Sequence, residues 1–121
     1  MTKTVKKVDK PWGHELHFAV TDRYVGKVLF IKAGESLSLQ YHRKKDESVY
    51  VQSGRLQLTI DEEGGKLVEK SLGPGEAVHI APGTRHRFAA DVDTTLFEVS
   101  TTELEDVVRL EDRYGRASSN T

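Results

Sequence analysis

Gln40, His42, Glu47 and His86 are the residues whose types and spacing could do chemistry together. Gln40 and His42 stand two apart in a run that sets Ser36, Ser38, Gln40 and His42 against Leu37, Leu39 and Tyr41, so on a strand both project from one face. Glu47 comes five positions after His42, behind the basic stretch Arg43-Lys44-Lys45-Asp46, and His86 comes much later, just behind the turn Pro82-Gly83. Together these groups would offer one carboxylate, two imidazoles and an amide oxygen. That donor set suits a borderline divalent ion, Zn²⁺ or Mn²⁺ first, with Fe²⁺ or Ni²⁺ as alternatives. Residue type alone leaves a plainer reading open. A histidine behind a Pro-Gly turn is commonly a loop residue, and a glutamate beside a charge cluster commonly belongs to a solvated face.

The elements that must position these groups are strands. The dominant period along the chain is two: Leu16, Phe18 and Val20 alternate with Glu15, His17 and Ala19, Val49 and Val51 with Ser48 and Tyr50, and Leu56, Leu58 and Ile60 with Gln57 and Thr59. Turn signals separate the runs at Ala33-Gly34-Glu35, Ser53-Gly54, Gly64-Gly65, Gly73-Pro74-Gly75 and Pro82-Gly83. Short strands between Gly-rich turns predict an all-β fold, an antiparallel sandwich or barrel. One helical segment is expected near the C-terminus, where Thr102-Glu103-Leu104-Glu105 has the form of a capping box and Leu104, Val107 and Val108 share a helical face. Residues 1–9 read as an N-terminal arm and 117–121 (Ala-Ser-Ser-Asn-Thr) as a disordered tail.

Composition bounds the rest. A chain of 121 residues forms one domain. The absence of cysteine excludes a disulfide framework, a thiolate-ligated metal and a thiol nucleophile. Eighteen Lys plus Arg against nineteen Asp plus Glu leave a net charge of −1, so no bulk field draws nucleic acid or an anionic membrane. The N-terminus has basic residues but no apolar stretch of a secretory signal, and no apolar run approaches the ~20 residues that span a bilayer. A soluble cytoplasmic protein is expected.

The spacing of the chemical residues has a family form. Gly34, five residues, Gln40, one residue, His42, four residues, Glu47, six residues, Gly54 resembles the first cupin motif, with Gln where the first His often stands. Gly75, five residues, Ala81, then Gly83, two residues, His86 resembles the second. The resemblance implies a jelly-roll β-barrel holding one divalent metal ion, with Gln40, His42, Glu47 and His86 as its ligands. The flanks narrow it: Lys10-Pro11-Trp12-Gly13, Ser38-Leu39-Gln40-Tyr41-His42, His86-Arg87 and the closing run from Asp106 to Arg116 are similar to the mannose-6-phosphate isomerase type II domain, which also has Gln at the first ligand position. Departures stand at Arg43, Lys44, Ser48, Val49, Ala89 and Ala90, and are expected to alter the pocket walls.

The resemblance implies a sugar or sugar-phosphate aldose–ketose isomerase, in which a Lewis acid stabilises the enediolate and a second group moves the proton. His14, His17, His79 and Glu98 are candidates for the second role, none singled out. Arg87 is the preferred phosphate contact through its His-Arg resemblance, with Lys10, Arg43 and Arg116 as further cations. Trp12 and Tyr114 would wall a sugar or close the ends of the fold. The alternatives are a metal-containing sugar-binding module without turnover and a cupin oxygenase, the latter disfavoured by Gln40. Small cupins often pair through edge strands or an arm, so a homodimer is expected.

Overall fold

The computed structural model describes residues 2–116 together with the strand Ser118–Ser119. Its strands are β1 (Lys6–Lys10), β2 (Gly13–Val20), β3 (Val25–Ile31), β4 (Leu39–Tyr41), β5 (Glu47–Ser53), β6 (Leu56–Glu62), β7 (Lys66–Leu72), β8 (Ala77–Ile80), β9 (His86–Ala89), β10 (Thr94–Ser100), β11 (Val108–Glu111) and β12 (Ser118–Ser119). They form two six-stranded antiparallel sheets, ordered β1-β2-β3-β10-β5-β8 and β12-β11-β4-β9-β6-β7. The expectation of an all-β fold holds. The closed barrel does not: among the described residues no strand of one sheet pairs with a strand of the other, and the molecule is an open sandwich.

The period of two explains the layers. Leu29, Ile31, Val49, Val51 and Leu96 point inward from the first sheet, and Leu56, Leu58, Ile60 and Phe88 from the second, forming one apolar core with Trp12 beneath them. Each such side chain contributes roughly 1.5–3 kcal/mol by burial. Tight turns hold the hairpins in register. Gly54, at φ 83°, lies where a Cβ would fall 2.3 Å from the Asp93 carbonyl oxygen, so no other residue fits that corner.

One local expectation, the C-terminal helix, is corrected. No helix forms at 102–108, among the described residues or elsewhere in them: 102–107 is turn and coil, and Val108 opens β11. The Asp106 carboxylate accepts the backbone N–H groups of Arg43, Lys44 and Lys45 at 2.7–3.0 Å, and this tertiary capture outweighs the weak propensity of a single short turn. The N-terminal arm is part of the first sheet from Lys6 onward, β1 pairing with β2. Of the 117–121 tail, Ser118–Ser119 pair with β11, and Ala117, Asn120 and Thr121 lie outside the described residues.

Candidate metal centre

The inward face holds polar residues at one end of the sandwich. In the second sheet, cross-strand pairing lines up Arg109 of β11, Gln40 of β4 and His86 of β9 in one row. In the first, His17 of β2, Lys27 of β3 and Glu98 of β10 form a matching row. The alternation Ser36, Ser38, Gln40, His42 therefore turns its polar side into the protein, with Ser36, Ser38 and His42 all buried. In β2 the polar residues Glu15 and His17 face in, while Phe18 is 47% exposed.

His42, Glu47 and His86 come together here, each buried, with one potential ligand atom apiece lying within 4.8 Å of the others. Glu47 Oε1 is 3.7 Å from His42 Nε2 and 3.4 Å from His86 Nε2. The opposite ring nitrogens are committed: His42 Nδ1 donates to the Asp106 carbonyl, and His86 Nδ1 donates to the Thr84 carbonyl at 2.9 Å. A carbonyl only accepts, so each Nδ1 carries a proton, and in the neutral ring each Nε2 then presents a lone pair. Both Nε2 atoms are buried without a hydrogen-bond partner, and both face a carboxylate. Three lone-pair donors converging in a dry space call for a cation between them. The donor set, two imidazoles and one carboxylate, fits a borderline divalent ion. Gln40 sits directly across from His86, its Oε1 accepting from Ser38 Oγ at 2.8 Å.

Lys45, part of a loop in the sequence reading, is buried and central. Its Nζ lies 2.9 Å from Glu47 Oε2 and 3.1 Å from Glu98 Oε2. Glu47 thus offers one oxygen to the histidines while the other meets the ammonium. Burial opposes ionisation of Glu47, yet charged surroundings that include the Lys45 ammonium on its other oxygen outweigh it and hold the carboxyl well below the usual range. Burial would lower the Lys45 ammonium, but Glu98 and Glu47 raise it instead. Glu98 is pushed up, by burial first and by the Glu47 charge second.

The short chain from His42 to Glu47 is pinned by Asp106, through its carboxylate on Arg43, Lys44 and Lys45 and its carbonyl on His42. Burial pushes the Asp106 carboxyl up, but the three backbone donors prevail and lower it. Its support is therefore present above the ordinary carboxylate value and is lost as pH falls below it. Asp106→Ala should weaken metal binding about 10–100-fold, the range for outer-shell groups, with the sheets intact by circular dichroism. Isothermal titration with Zn²⁺ on chelator-stripped protein measures it.

A cavity of about 320 Å³ adjoins His42 and Gln40, with Trp12, Glu15, His17 and Lys45 in its walls. Lys10, Lys27, Arg109 and Arg116 make it cationic. Burial first lowers both Lys10 and Arg109; Glu15 opposes it at Lys10 while Lys27, Arg109 and Arg116 add to it, and at Arg109 the Arg116 charge adds to it while Asp112 opposes. Arg109 Nε is buried without a hydrogen-bond partner. His17 Nε2 and Glu15 Oε1 are 2.8 Å apart, with Lys27 3.3 Å from the same oxygen.

Several sequence expectations fall elsewhere. Arg87 stands on the face of β9 opposite His86, in an outer groove, 3.3 Å from Glu111. The structure does not bring it to the cluster. His14 stacks on Phe30 at 5.2 Å on the outer face, and exposed His79 meets Asp46 at 2.6 Å, which leaves His17 and Glu98 as the inward proton-transfer candidates. None of Arg43, Lys44, Ser48, Val49, Ala89 and Ala90 lines this cavity. Lys45, Asp106 and Arg109 were missed as site residues. The closing run that contains Asp106 and Arg109 was the one available signal.

Among curated relatives, the chain is 37% identical over 116 residues to a mannose-1-phosphate guanylyltransferase of Escherichia coli, covering 92% of this chain and 23% of that protein. It is 31% identical over 121 residues to the alginate biosynthesis protein AlgA of Pseudomonas putida, covering 98% and 24%. The chain thus spans about a quarter of the length of these relatives. Among solved structures, the capsular polysaccharide assembling protein CapF of Staphylococcus aureus superposes with a TM-score of 0.79 at 21% identity, over 91% of this chain and 32% of that one. KdgF from Halomonas sp. gives 0.71 at 19%, over 83% and 88%. No described helix is long and apolar enough to cross a membrane. The cupin domain model matches residues 27–100, more than half of the chain and the stretch that carries all the converging ligand atoms, and on that match the chain belongs to the cupin family.

Proposed function

We propose that this protein is a metal-dependent cupin that interconverts an aldose and a ketose, with a small phosphorylated sugar as substrate. The observation that carries the reading is the convergence of His42 Nε2, His86 Nε2 and Glu47 Oε1 beside a cavity whose surplus of cations suits an anionic ligand. The guanylyltransferase and alginate relatives support a role in sugar metabolism. His42, Glu47 and His86, with Gln40 as the fourth donor, would hold one Zn²⁺ or Mn²⁺. When bound, the ion supplies Lewis acidity that polarises a sugar carbonyl.

The chain's own residues would do the rest. Arg109, whose buried Nε lacks a hydrogen-bond partner, and Lys10 bind the phosphate. Trp12 closes one wall and excludes water. His17, whose Nε2 donates to Glu15, takes the proton from one carbon at its other ring nitrogen, Nδ1, and returns it to the next.

The test is solvent-deuterium incorporation at C1 or C2 of mannose-6-phosphate, fructose-6-phosphate and the unphosphorylated sugars, with Zn²⁺ or Mn²⁺ and with chelator. Metal-dependent exchange is expected, strongest for the phosphorylated sugars. Arg109→Gln should raise KM about 10–100-fold for these alone, equivalent to one charge-assisted hydrogen bond of ~1.5–3 kcal/mol. No exchange by metal-loaded protein rejects the isomerase reading. An equal effect on both sugar classes rejects the role given to Arg109.

A further inference from the structure

Glu47 stands opposite Ser100 in the β5–β10 ladder, so Glu98, two residues from Ser100, shares its inward face. Two buried carboxylates side by side on one face repel each other unless a cation joins them. Lys45 joins them, through Nζ contacts of 2.9 Å to Glu47 Oε2 and 3.1 Å to Glu98 Oε2. Its backbone is fixed from two directions. The Lys45 N–H donates to Asp106 Oδ2 at 2.9 Å, and the adjoining Asp46 carbonyl accepts the Thr101 N–H at 3.0 Å. Among the described residues Glu98 forms an ion pair with Lys45 alone, so the Lys45–Glu98 pair adds no net charge to the site. A buried pair of this kind contributes little stability over apolar residues of the same volume. What it does add is direction. A positive charge sits against one Glu47 oxygen, Oε2, while the other, Oε1, lies 3.7 and 3.4 Å from the imidazole Nε2 atoms of His42 and His86.

We infer that Lys45 selects Zn²⁺ over Mn²⁺ by holding Glu47 to ligation through Oε1 alone. A metal ion that engaged Oε2 as well would approach the ammonium where no water screens the two charges. With one carboxylate oxygen from Glu47, two imidazole nitrogens and the Gln40 amide, the chain offers four donors, the number that satisfies Zn²⁺. Mn²⁺ is suited by a larger set of oxygen donors, and the nearest additional oxygen is Glu47 Oε2, which Lys45 already engages. Lys45 is therefore a positioning residue that acts on the metal through Glu47, as outer partners of ligating carboxylates do. This role rests on the metal centre proposed above and is independent of the sugar chemistry.

Isothermal titration of the chelator-stripped full chain with Zn²⁺ and, separately, with Mn²⁺ tests the role without reference to turnover. The double variant Lys45→Met/Glu98→Gln removes the cation together with its counter-charge, so the net charge around Glu47 is preserved and the sheets should persist by circular dichroism. Its ratio of Zn²⁺ to Mn²⁺ affinity should fall at least about tenfold, the lower end of the outer-shell range, through a gain for Mn²⁺. Glu98→Gln alone, which leaves the ammonium on Glu47, should keep the wild-type ratio. An equal change in both affinities of the double variant, the mark of a purely structural role, overturns the selection by Lys45. So does a wild type that binds Mn²⁺ as tightly as Zn²⁺, a result that needs no variant to fold. A wild type that binds neither ion removes the metal centre itself. The expected ratios without sugar exchange support Lys45 as the selector and reject only the isomerase reading.

Discussion

Replacing His86 by Ala is expected to strip the metal from the protein while leaving both sheets in place. His86 is 1% exposed, its Nδ1 is tied to the Thr84 carbonyl, and its Nε2 is one of two buried imidazole lone pairs aimed at Glu47. Loss of an outer-shell partner costs about 10–100-fold in metal affinity, so loss of the ligand itself should exceed 100-fold. Elemental analysis after dialysis should fall from near one ion per chain to below a tenth of that. The β-sheet circular dichroism should persist, because the apolar core from Leu29 to Leu96 does not depend on this side chain. His79→Ala, which removes an exposed histidine paired only with Asp46, should leave metal content unchanged. Full metal occupancy in the His86 variant would refute the ligand assignment.

Lys45→Met should be the most destabilising single change at the site. It removes the one ammonium that lies between Glu47 and Glu98, whose oxygens are 2.9 and 3.1 Å from Nζ. All three side chains are almost wholly buried, so the variant leaves two carboxylates facing each other without water. Breaking a buried ion pair by deleting one partner costs ~3–5 kcal/mol, a large part of the stability of a small domain. Urea unfolding of metal-free protein should show this as a lower midpoint at unchanged slope. The double variant Lys45→Met/Glu98→Gln, which removes one of the stranded charges as well, should recover most of the loss. Because Glu98 is already pushed toward its neutral form by burial, Lys45→Met should also be least damaging at acid pH, where Glu98 protonates. A Lys45→Met protein as stable as wild type at pH 7 would show that the ammonium does not balance these charges.

What the sequence determined by itself was what depends on near neighbours along the chain. Alternation of apolar and polar residues marked β2, β5 and β6, and glycine turns marked their ends, because a strand's period and a turn's backbone angles are local properties. The spacing of the candidate ligands is local in the same sense. Gln40 and His42 share a face because they stand two apart, and the turn at Gly83, whose amide donates to the His42 carbonyl at 2.7 Å, carries His86 to that strand.

Tertiary structure decided the rest, since it depends on which surface meets which across the fold. Alternation says that β2 has two unlike faces but not which one is interior. Here the interior holds a polar cavity, so Glu15 and His17 turn inward beside Lys27 while Phe18 faces out. Whether the turn before β9 rotates Arg87 toward the site is also a tertiary matter, and here it does not, so Arg87 keeps the face opposite His86. The helix suggested at 102–108 gave way because Asp106 is bound by backbone groups 61–63 positions earlier in the chain. Lys45 looked like one more cation in a basic loop, and only the packing of β5 against β10 surrounds it with Glu47 and Glu98. A charge is stabilised by what lies within a few ångströms of it in space, and for Lys45 half of that environment is supplied from fifty-three residues away.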